Sequence, residues 1–370
     1  MNKNKSEHTK DDNYLKHVSQ IDQVNFLNFR RYLIDWYETV KRDLPWRKNQ
    51  DPYKVWVSEI MLQQTQVDTV IPYFDRFIKQ FPTPAALANA EEDQVLKAWE
   101  GLGYYSRARN LHAAVKEVAA SYGGQVPVDK EELKSLKGIG PYTLGAIMSI
   151  AYNQPEPAVD GNVMRVLSRV FIIEEDIKKV KTRHIFEALV RRLIDQKRPS
   201  DFNQGLMELG ALICKPTKPL CEECPLQSIC LAHQQKIETT LPVKSKAKKQ
   251  KKLNYYVAVI ESPEGKILIE KRPSEGLLAN LYQFPMIEQT KTDCSLLSEY
   301  LSAEYDTNLN QEQMLEPVKH VFSHLIWSID AVKFMAQASF IPKEHQRWVD
   351  KKELGDLAFP VPHQKVLRQI

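Results

Sequence analysis

The sequence predicts a multidomain protein, an all-α domain followed by an α+β domain, and three observations carry that prediction. From about residue 23 to 235 the apolar residues recur at three- and four-residue steps, as in "VWVSEIMLQQTQVDTVIPYFDRFI" (55–78) and "RHIFEALVRRLI" (183–194), which is the period of amphipathic helices. After residue 254 the pattern changes to short β-rich runs, "YYVAVIES" and "KILIEKR", joined by "PEG" as in a hairpin. Between the two lies "LPVKSKAKKQKKLN", with lysines at 244, 246, 248, 249, 251 and 252 and no acid. Such a run repels itself, buries nothing, and reads as an extended, solvated linker.

Taken in order, residues 1–22 read as a polar tail without the apolar region of an export signal. Residues 23–240 form the helical domain, punctuated by "GLGYY" (101–105) and "YGGQVP" (122–127). Residues 241–253 are the linker, and 254–370 the α+β domain, with a further strand at "HLIWSIDAVKF" (324–334) and an amphipathic helix at "DCSLLSEYLSAEY" (293–305). A length of 370 residues and a hydrophobic fraction of 43% are enough for two real cores. No run of about 18 apolar residues appears, so no membrane association is expected. The net charge of +4 permits nucleic-acid binding without arguing for it. We expect a monomer in the cytoplasm, at the nucleoid.

Two local patterns carry chemistry. In "LKGIGPYTLGAI" (136–147) a helix ends at Gly138, Gly140 allows a positive φ, and Pro141 suits the first position of the next helix. Amides of such a turn at a helix N-terminus can hold one DNA phosphate without reading sequence. An ordinary helix–helix turn would look the same. Four of the five cysteines, Cys214, Cys221, Cys224 and Cys230, are spaced C-x6-C-x2-C-x5-C in one short loop. Without an export signal this points to metal rather than disulfides, and zinc sites more often pair two C-x2-C knuckles.

Eighteen residues beyond Tyr142 comes Asp160, in "PAVDGNVMRVLSR". Hairpin, Gly/Pro-rich loop and aspartate together resemble the helix-hairpin-helix superfamily of DNA base-excision glycosylases, and this text resembles its adenine-removing, MutY-type branch. The resemblance runs from about residue 25 to the end. It implies a [4Fe–4S] cluster on the four cysteines. In lyase relatives such as endonuclease III a lysine stands where this chain has Tyr142. A lysine amine can attack the sugar C1′ and cut the strand, and a tyrosine cannot. The expected product is an abasic site in an uncut strand.

Glycosidic cleavage calls for a proton donor and a carboxylate facing a cationic sugar. Glu59 has apolar neighbours Trp56, Val57, Ile60 and Met61, so burial should raise its pKa, although a salt-bridged surface position would also fit the residues alone. Asp160, in a loop with amide donors, should stay ionised. The resemblance makes Glu59 the donor to the adenine ring and Asp160 the stabiliser of the oxocarbenium ion. It places Tyr142 beside them and has Asn162 orient water or carboxylates. By the same comparison, in "LQQT" (Leu62 to Thr65), Gln64 enters the space left by the base, and Tyr104 acts as a wedge. Arg42, Leu44, Trp46, Arg47 and Gln204 line the adenine pocket, and Gly138 and Gly140 hold the backbone.

The C-terminal domain resembles the Nudix-like domain of that family. After "GLLANLYQFP" (276–285) it lacks the R-E-x-x-E-E core of a hydrolysing Nudix enzyme, so no pyrophosphatase activity is expected. "HVFSHLIW" (320–327) matches the family's loop for 8-oxoguanine, implicating Phe322, Ser323 and His324, where a plain strand end is the competing reading. The expected substrate is duplex DNA with adenine opposite 8-oxoguanine or guanine. Two rival functions are a thymine-mismatch or oxidised-pyrimidine glycosylase of the same fold, and a non-catalytic iron–sulfur DNA-binding protein.

Overall fold

A computed structural model describes residues 10–16, 18–246 and 249–370. They divide into two compact units: the chain up to Ala88 with residues 113–246, and residues 89–112 with the chain after Lys246. Part of the expected polar tail (1–9 and 17), and residues 247 and 248 of the linker, lie outside the described residues.

The first unit is helical because its apolar periods are interrupted where caps and prolines stand. Asn25 caps α1 (Phe26–Val40) and Asp51 caps α2 (Pro52–Leu62), each side chain accepting a backbone N–H of the first turn. The long apolar run at 55–78 is two helices rather than one. It breaks after Leu62, where Gln64 takes φ 57°, before α3 (Val67–Gln80) begins. Further on come α4 (Pro84–Ala88), then α5 (Glu92–Ala98), which belongs to the second unit, and α6 (Ser106–Ser121), which the division crosses, then α7 (Lys130–Ser135), α8 (Pro141–Ile150) and α9 (Gly161–Phe171). The helical part ends with α10 (Val180–Leu193), α11 (Pro199–Leu212) and α12 (Leu231–Gln234). The α7–α8 hairpin corrects one expectation. The positive φ belongs to Gly138, at 86°, while Gly140 has φ −90° and serves as the N-cap residue of α8. From residue 10 the expected tail is not free: Asp11 pairs with Arg191 at 3.0 Å, and Leu15 and Val18 are buried in the core of this unit.

Two helices meet closely because of single glycines. A Cβ on Gly145, in α8, would lie 1.9 Å from the carbonyl oxygen of Pro157, in the loop leading to Asp160. A Cβ on Gly210, in α11, would lie 2.5 Å from the Cβ of Asn162, in the first turn of α9. Both glycines therefore set how near the Asp160 segment comes to its neighbours.

In the second unit, β1 (Lys251–Glu261) and β2 (Lys266–Lys271) form the expected hairpin, with Glu261 opposite Ile267. Strands β3 (Tyr282–Gln283), β4 (Met286–Glu288), β5 (Leu309–Met314), β6 (Val318–Val321), β7 (Leu325–Ala336) and β8 (Gln346–Asp350) complete a mixed sheet in which β1 pairs in parallel with β7. That pairing draws Lys251 and Lys252, read as linker, into β1. Alternate residues of β1 face opposite cores: Val257 and Val259 meet Phe359 and Val366 of α14 (Val361–Leu367), and Ala258 and Ile260 meet Leu297 and Leu301 of α13 (Leu297–Tyr305). Residues 89–112 join this unit through polar contacts that periodicity does not reveal. Asp93 accepts from Lys271 Nζ at 2.7 Å and Tyr282 Oη at 2.8 Å, and Arg109 donates to the Ala279 carbonyl at 2.7 Å. Among the described residues no helix is long and apolar enough to cross a membrane.

Gly145→Ala should lower unfolding free energy by about 1–3 kcal/mol, the usual cost of overpacking. At Gly161 an added Cβ meets nothing within 4 Å, and alanine there should change stability by no more than about 0.5 kcal/mol. Equilibrium urea unfolding of both variants checks the pair; equal stability would show that the Pro157 carbonyl is free to move away.

Candidate active site

Helix α2 is buried nearly all round, and that places a carboxylate where water is scarce. Glu59 is 4% exposed, among Val55 to Met61, all buried. Opposite it, Tyr142 is the second residue of α8, so the helix start aims its ring back at α2. Tyr142 Oη donates to Glu59 Oε2 at 2.5 Å and also lies 3.7 Å from Met207 Sδ of α11. Burial pushes the Glu59 carboxyl up to about 7; the Tyr142 hydrogen bond pulls it back, and the Asp160 charge pushes it further up. Burial, and then the Glu59 charge, raise Tyr142 well above its usual value, so it remains a neutral donor.

Asp160 is the N-cap residue of α9, not a loose loop residue. Its Oδ1 accepts from Val163 N at 2.7 Å, and its Oδ2 accepts from Asn162 Nδ2 at 2.8 Å. The sequence predicts an aspartate of ordinary or low pKa. Burial instead raises it, with the two N–H donors and the Arg165 charge offsetting part of that. Asp160 accepts from N–H donors of Val163 and Asn162 whereas Glu59 accepts from a phenol, which favours the charged form more at Asp160 than at Glu59. Behind Asn162 the network continues: Arg165 Nη2 donates to Asn162 Oδ1 at 2.9 Å and to the Gly210 carbonyl at 2.7 Å, and its Nε donates to the Cys214 carbonyl at 2.8 Å.

Glu59, Tyr142, Asp160 and Asn162 line one cavity of about 150 Å³ with Arg42, Leu44, Trp46, Arg47, Leu62, Thr65 and Gln204. The sequence-predicted pocket residues are thus brought together. Gln64 is not among the lining residues; it is exposed at the break between α2 and α3. Trp46 is fixed edge-on against Phe74, with centroids 5.4 Å apart. Gln204 Nε2 donates to Ser200 Oγ at 3.0 Å.

Glu208 completes the wall, and sequence reasoning missed it. It is 1% exposed and accepts from Arg42 Nε at 2.6 Å and Arg47 Nη2 at 2.9 Å. Burial pushes its carboxyl up, but the hydrogen bonds and charges of these arginines more than offset that and hold it below its ordinary value. The available signal was spacing, because Glu208 follows Gln204 by one helical turn and so shares its face.

In the second unit, Tyr104 and the 322–324 turn, distant in sequence, line one cavity of about 340 Å³. Tyr104 is 45% exposed with φ 47°. Arg107 lies under its ring at 5.6 Å and donates to the carbonyls of Leu102 and Gly103, which stiffens "GLGYY". Phe322 packs edge-on against His320 and Trp327, with centroids 4.4 and 4.9 Å away, while Ser323 and His324 are exposed.

The four cysteines Cys214, Cys221, Cys224 and Cys230 line one small cavity beside α9. A single zinc ion needs its four sulfurs within roughly 4 Å of one another. Here the potential ligand atoms within 4.8 Å of one another belong to Cys221, His233 and Glu238, not to the four thiols. Burial pushes Cys224 up to about 12 and Cys230 up to about 11, so these sulfurs need a bound cation to become thiolates. Arg169, fully buried, donates to Cys214 Sγ at 3.2 Å and to the carbonyls of Lys215, Pro216 and Leu241, fastening the loop to α9.

Comparison with known proteins agrees with each part. Residues 57–192 match the HhH-GPD superfamily of base excision DNA repair proteins, residues 214–230 the iron-sulfur binding domain of endonuclease III, and residues 256–369 the NUDIX domain. The adenine DNA glycosylase of Rattus norvegicus is 37% identical, over 94% of this chain and 78% of the rat protein. That of Buchnera aphidicola subsp. Schizaphis graminum is 34% identical, over 92% of this chain and 97% of its own. A solved thermostable thymine-DNA glycosylase is 28% identical with TM-score 0.50, covering 56% of this chain and 95% of that one. The chain therefore belongs to the adenine DNA glycosylase family: it is an N-glycosylase hydrolase of base excision repair, with an iron–sulfur loop and a C-terminal NUDIX domain.

Proposed function

We propose that the substrate is adenine opposite 8-oxoguanine or guanine in duplex DNA, and that the product is an abasic site in an intact strand. The observation that carries the chemistry is the pair of carboxylates in one cavity, Glu59 with its pKa raised to about 7 and Asp160 accepting N–H donors that offset part of the rise burial causes. The target nucleotide is turned out of the stack to reach them. Tyr142 occupies Glu59 Oε2, which leaves Oε1 to carry the proton. Glu59 gives that proton to the adenine ring as the C1′–N bond breaks, and the bonding electrons leave with the base. Asp160 faces the resulting oxocarbenium ion, and Asn162 fixes the orientation of Asp160 through its 2.8 Å hydrogen bond. A water oxygen then closes on C1′ and passes a proton to the Glu59 carboxylate, which restores the acid.

Arg42, Arg47, Leu44, Trp46 and Gln204 form the adenine pocket, and the Glu208 clamp holds both arginines in place. Tyr142 offers no amine for a Schiff base. Gln64, exposed and already in a left-handed conformation, fills the vacated stack, with Leu62 and Thr65 at the pocket rim. The hairpin at Gly138 and Gly140 holds a backbone phosphate. Tyr104, Phe322, Ser323 and His324 share the cavity that reads the opposite base. The iron–sulfur group, a [4Fe–4S] cluster by its ligand spacing, supplies folding energy and a rigid loop when bound. The chain acts as a monomer, and the unit that contains β1 to β8, together with residues 89–112, is the recognition domain.

Glu59→Gln and Asp160→Asn should each lower the single-turnover rate by about 10²–10⁴-fold, the usual contribution of a positioned acid or an electrostatic stabiliser, while duplex binding persists. Near-normal rates in either variant refute the assignment. A panel of duplexes bearing A:8-oxoG, A:G, T:G or an oxidised pyrimidine tests the specificity. Cleavage is expected only for the first two and only after alkali. Strand breaks without alkali, or borohydride trapping through position 142, contradict the proposal. In the same assay, replacing Phe322, Ser323 and His324 together with alanine should shrink the preference for A:8-oxoG over A:G and leave excision intact.

A further inference from the structure

The cluster loop carries two side chains that its four cysteines do not account for. We propose that Glu238 and His233 are reserve ligands for the iron that Cys221 would hold, so that this one corner of the cluster can exchange its thiolate for a carboxylate or an imidazole. One ligand atom each of Cys221, His233 and Glu238 lie within 4.8 Å of one another. Both side chains line the same cavity as the four cysteines. Glu238 Oε2 is sealed from solvent and has no hydrogen-bond partner. A carboxylate oxygen in that state has lost its water without replacement, a cost that a nearby cation removes. His233 is the third residue after Cys230, in α12, where the helix holds it toward the cluster cavity. Its other polar neighbour is Glu222 Oε1 at 4.0 Å, on a side chain 86% exposed, a weak tie that is readily given up.

The ligand chemistry is ordinary for iron. Imidazole and carboxylate both bind it, and some iron–sulfur centres replace cysteine by histidine on one iron. In the exchange the Fe–Sγ bond of Cys221 breaks, an Fe–O bond to Glu238 or an Fe–N bond to His233 forms, and the released thiolate takes a proton from water. No electron is transferred, and carboxylate for thiolate leaves the ligand charge unchanged. Among the described residues the other three cysteines have no such group: Cys214 instead receives the Arg169 guanidinium, and no further set of potential ligands gathers at Cys224 or Cys230.

The test uses the full-length, cluster-loaded protein and counts iron and sulfide per chain, with electron paramagnetic resonance to identify the cluster type. Cys221→Ala should keep about four irons per chain, as in an intact four-iron cluster, and Cys224→Ala should not. Adding His233→Ala and Glu238→Gln to Cys221→Ala should bring the count to about three or fewer, with a three-iron signal after oxidation. Equal iron loss in Cys221→Ala and Cys224→Ala overturns the proposal. So does a Cys221→Ala count that ignores the other two changes. If Cys221→Ala does not fold, the four-cysteine protein carrying His233→Ala and Glu238→Gln is compared with wild type for iron release to a strong chelator. Several-fold faster release is expected, and an unchanged rate overturns the proposal.

Discussion

Glu59 is a carboxyl group taken out of water and given a neutral phenol rather than a cation as its hydrogen-bond partner, and the rest of the helical unit is arranged to maintain that. Its helix is buried on nearly all sides, and Tyr142 is aimed at it by the glycine–proline start of the facing helix. The same cavity shows what the alternative looks like. Glu208 is also buried, yet two arginines hold its pKa below the ordinary value, so the partner matters as well as burial. One wall of the cavity therefore keeps a proton and the other keeps a charge. This division lets an acid and a rigid polar surface share a space of about 150 Å³.

Asp160 connects that cavity to the iron–sulfur loop. As a helix cap it is fixed by backbone geometry, and Asn162 and Arg165 extend the chain of hydrogen bonds to the carbonyl of Cys214. Gly210 makes this possible twice, by leaving room for Asn162 and by accepting from Arg165 through its carbonyl. A loop that carries four cysteines and is tied down by Arg169 is thus joined by hydrogen bonds to the segment that holds Asp160. Rigid support of this kind is what positions catalytic groups well enough to act.

Much of this was legible in the sequence. The change of period at residue 254, the α7–α8 hairpin and the cysteine spacing follow from residue type and local order, whereas for Glu59 the apolar neighbours left a salt-bridged surface position open until the resemblance decided for burial. What escaped reading depends on contacts between distant segments. Glu208 looks like a solvated helix residue until Arg42 and Arg47 are brought to it. Gly145 and Gly210 look like weak helix formers until the backbone or side chain they admit is in place. The positive φ fell on Gly138 rather than Gly140 because the latter had to start a helix. Residues 89–112 read as part of a helical run, and only ion pairs such as Asp93 with Lys271 reveal which unit they join. The residues alone suggest a loop aspartate that stays ionised, whereas capping a buried helix end gives Asp160 donors and desolvation together.

The central claim is that Glu59 still holds its proton near neutral pH, and a direct titration tests it without assaying catalysis. Difference infrared spectra between wild type and Glu59→Gln, taken across pH, isolate the carbonyl band of that one carboxylic acid. The account predicts a band that is present in mild acid and disappears with a midpoint near 7, in line with the pKa of about 7 that burial gives this carboxyl. A midpoint near the ordinary glutamate value of 4.5 would contradict it and leave the site without its proton donor.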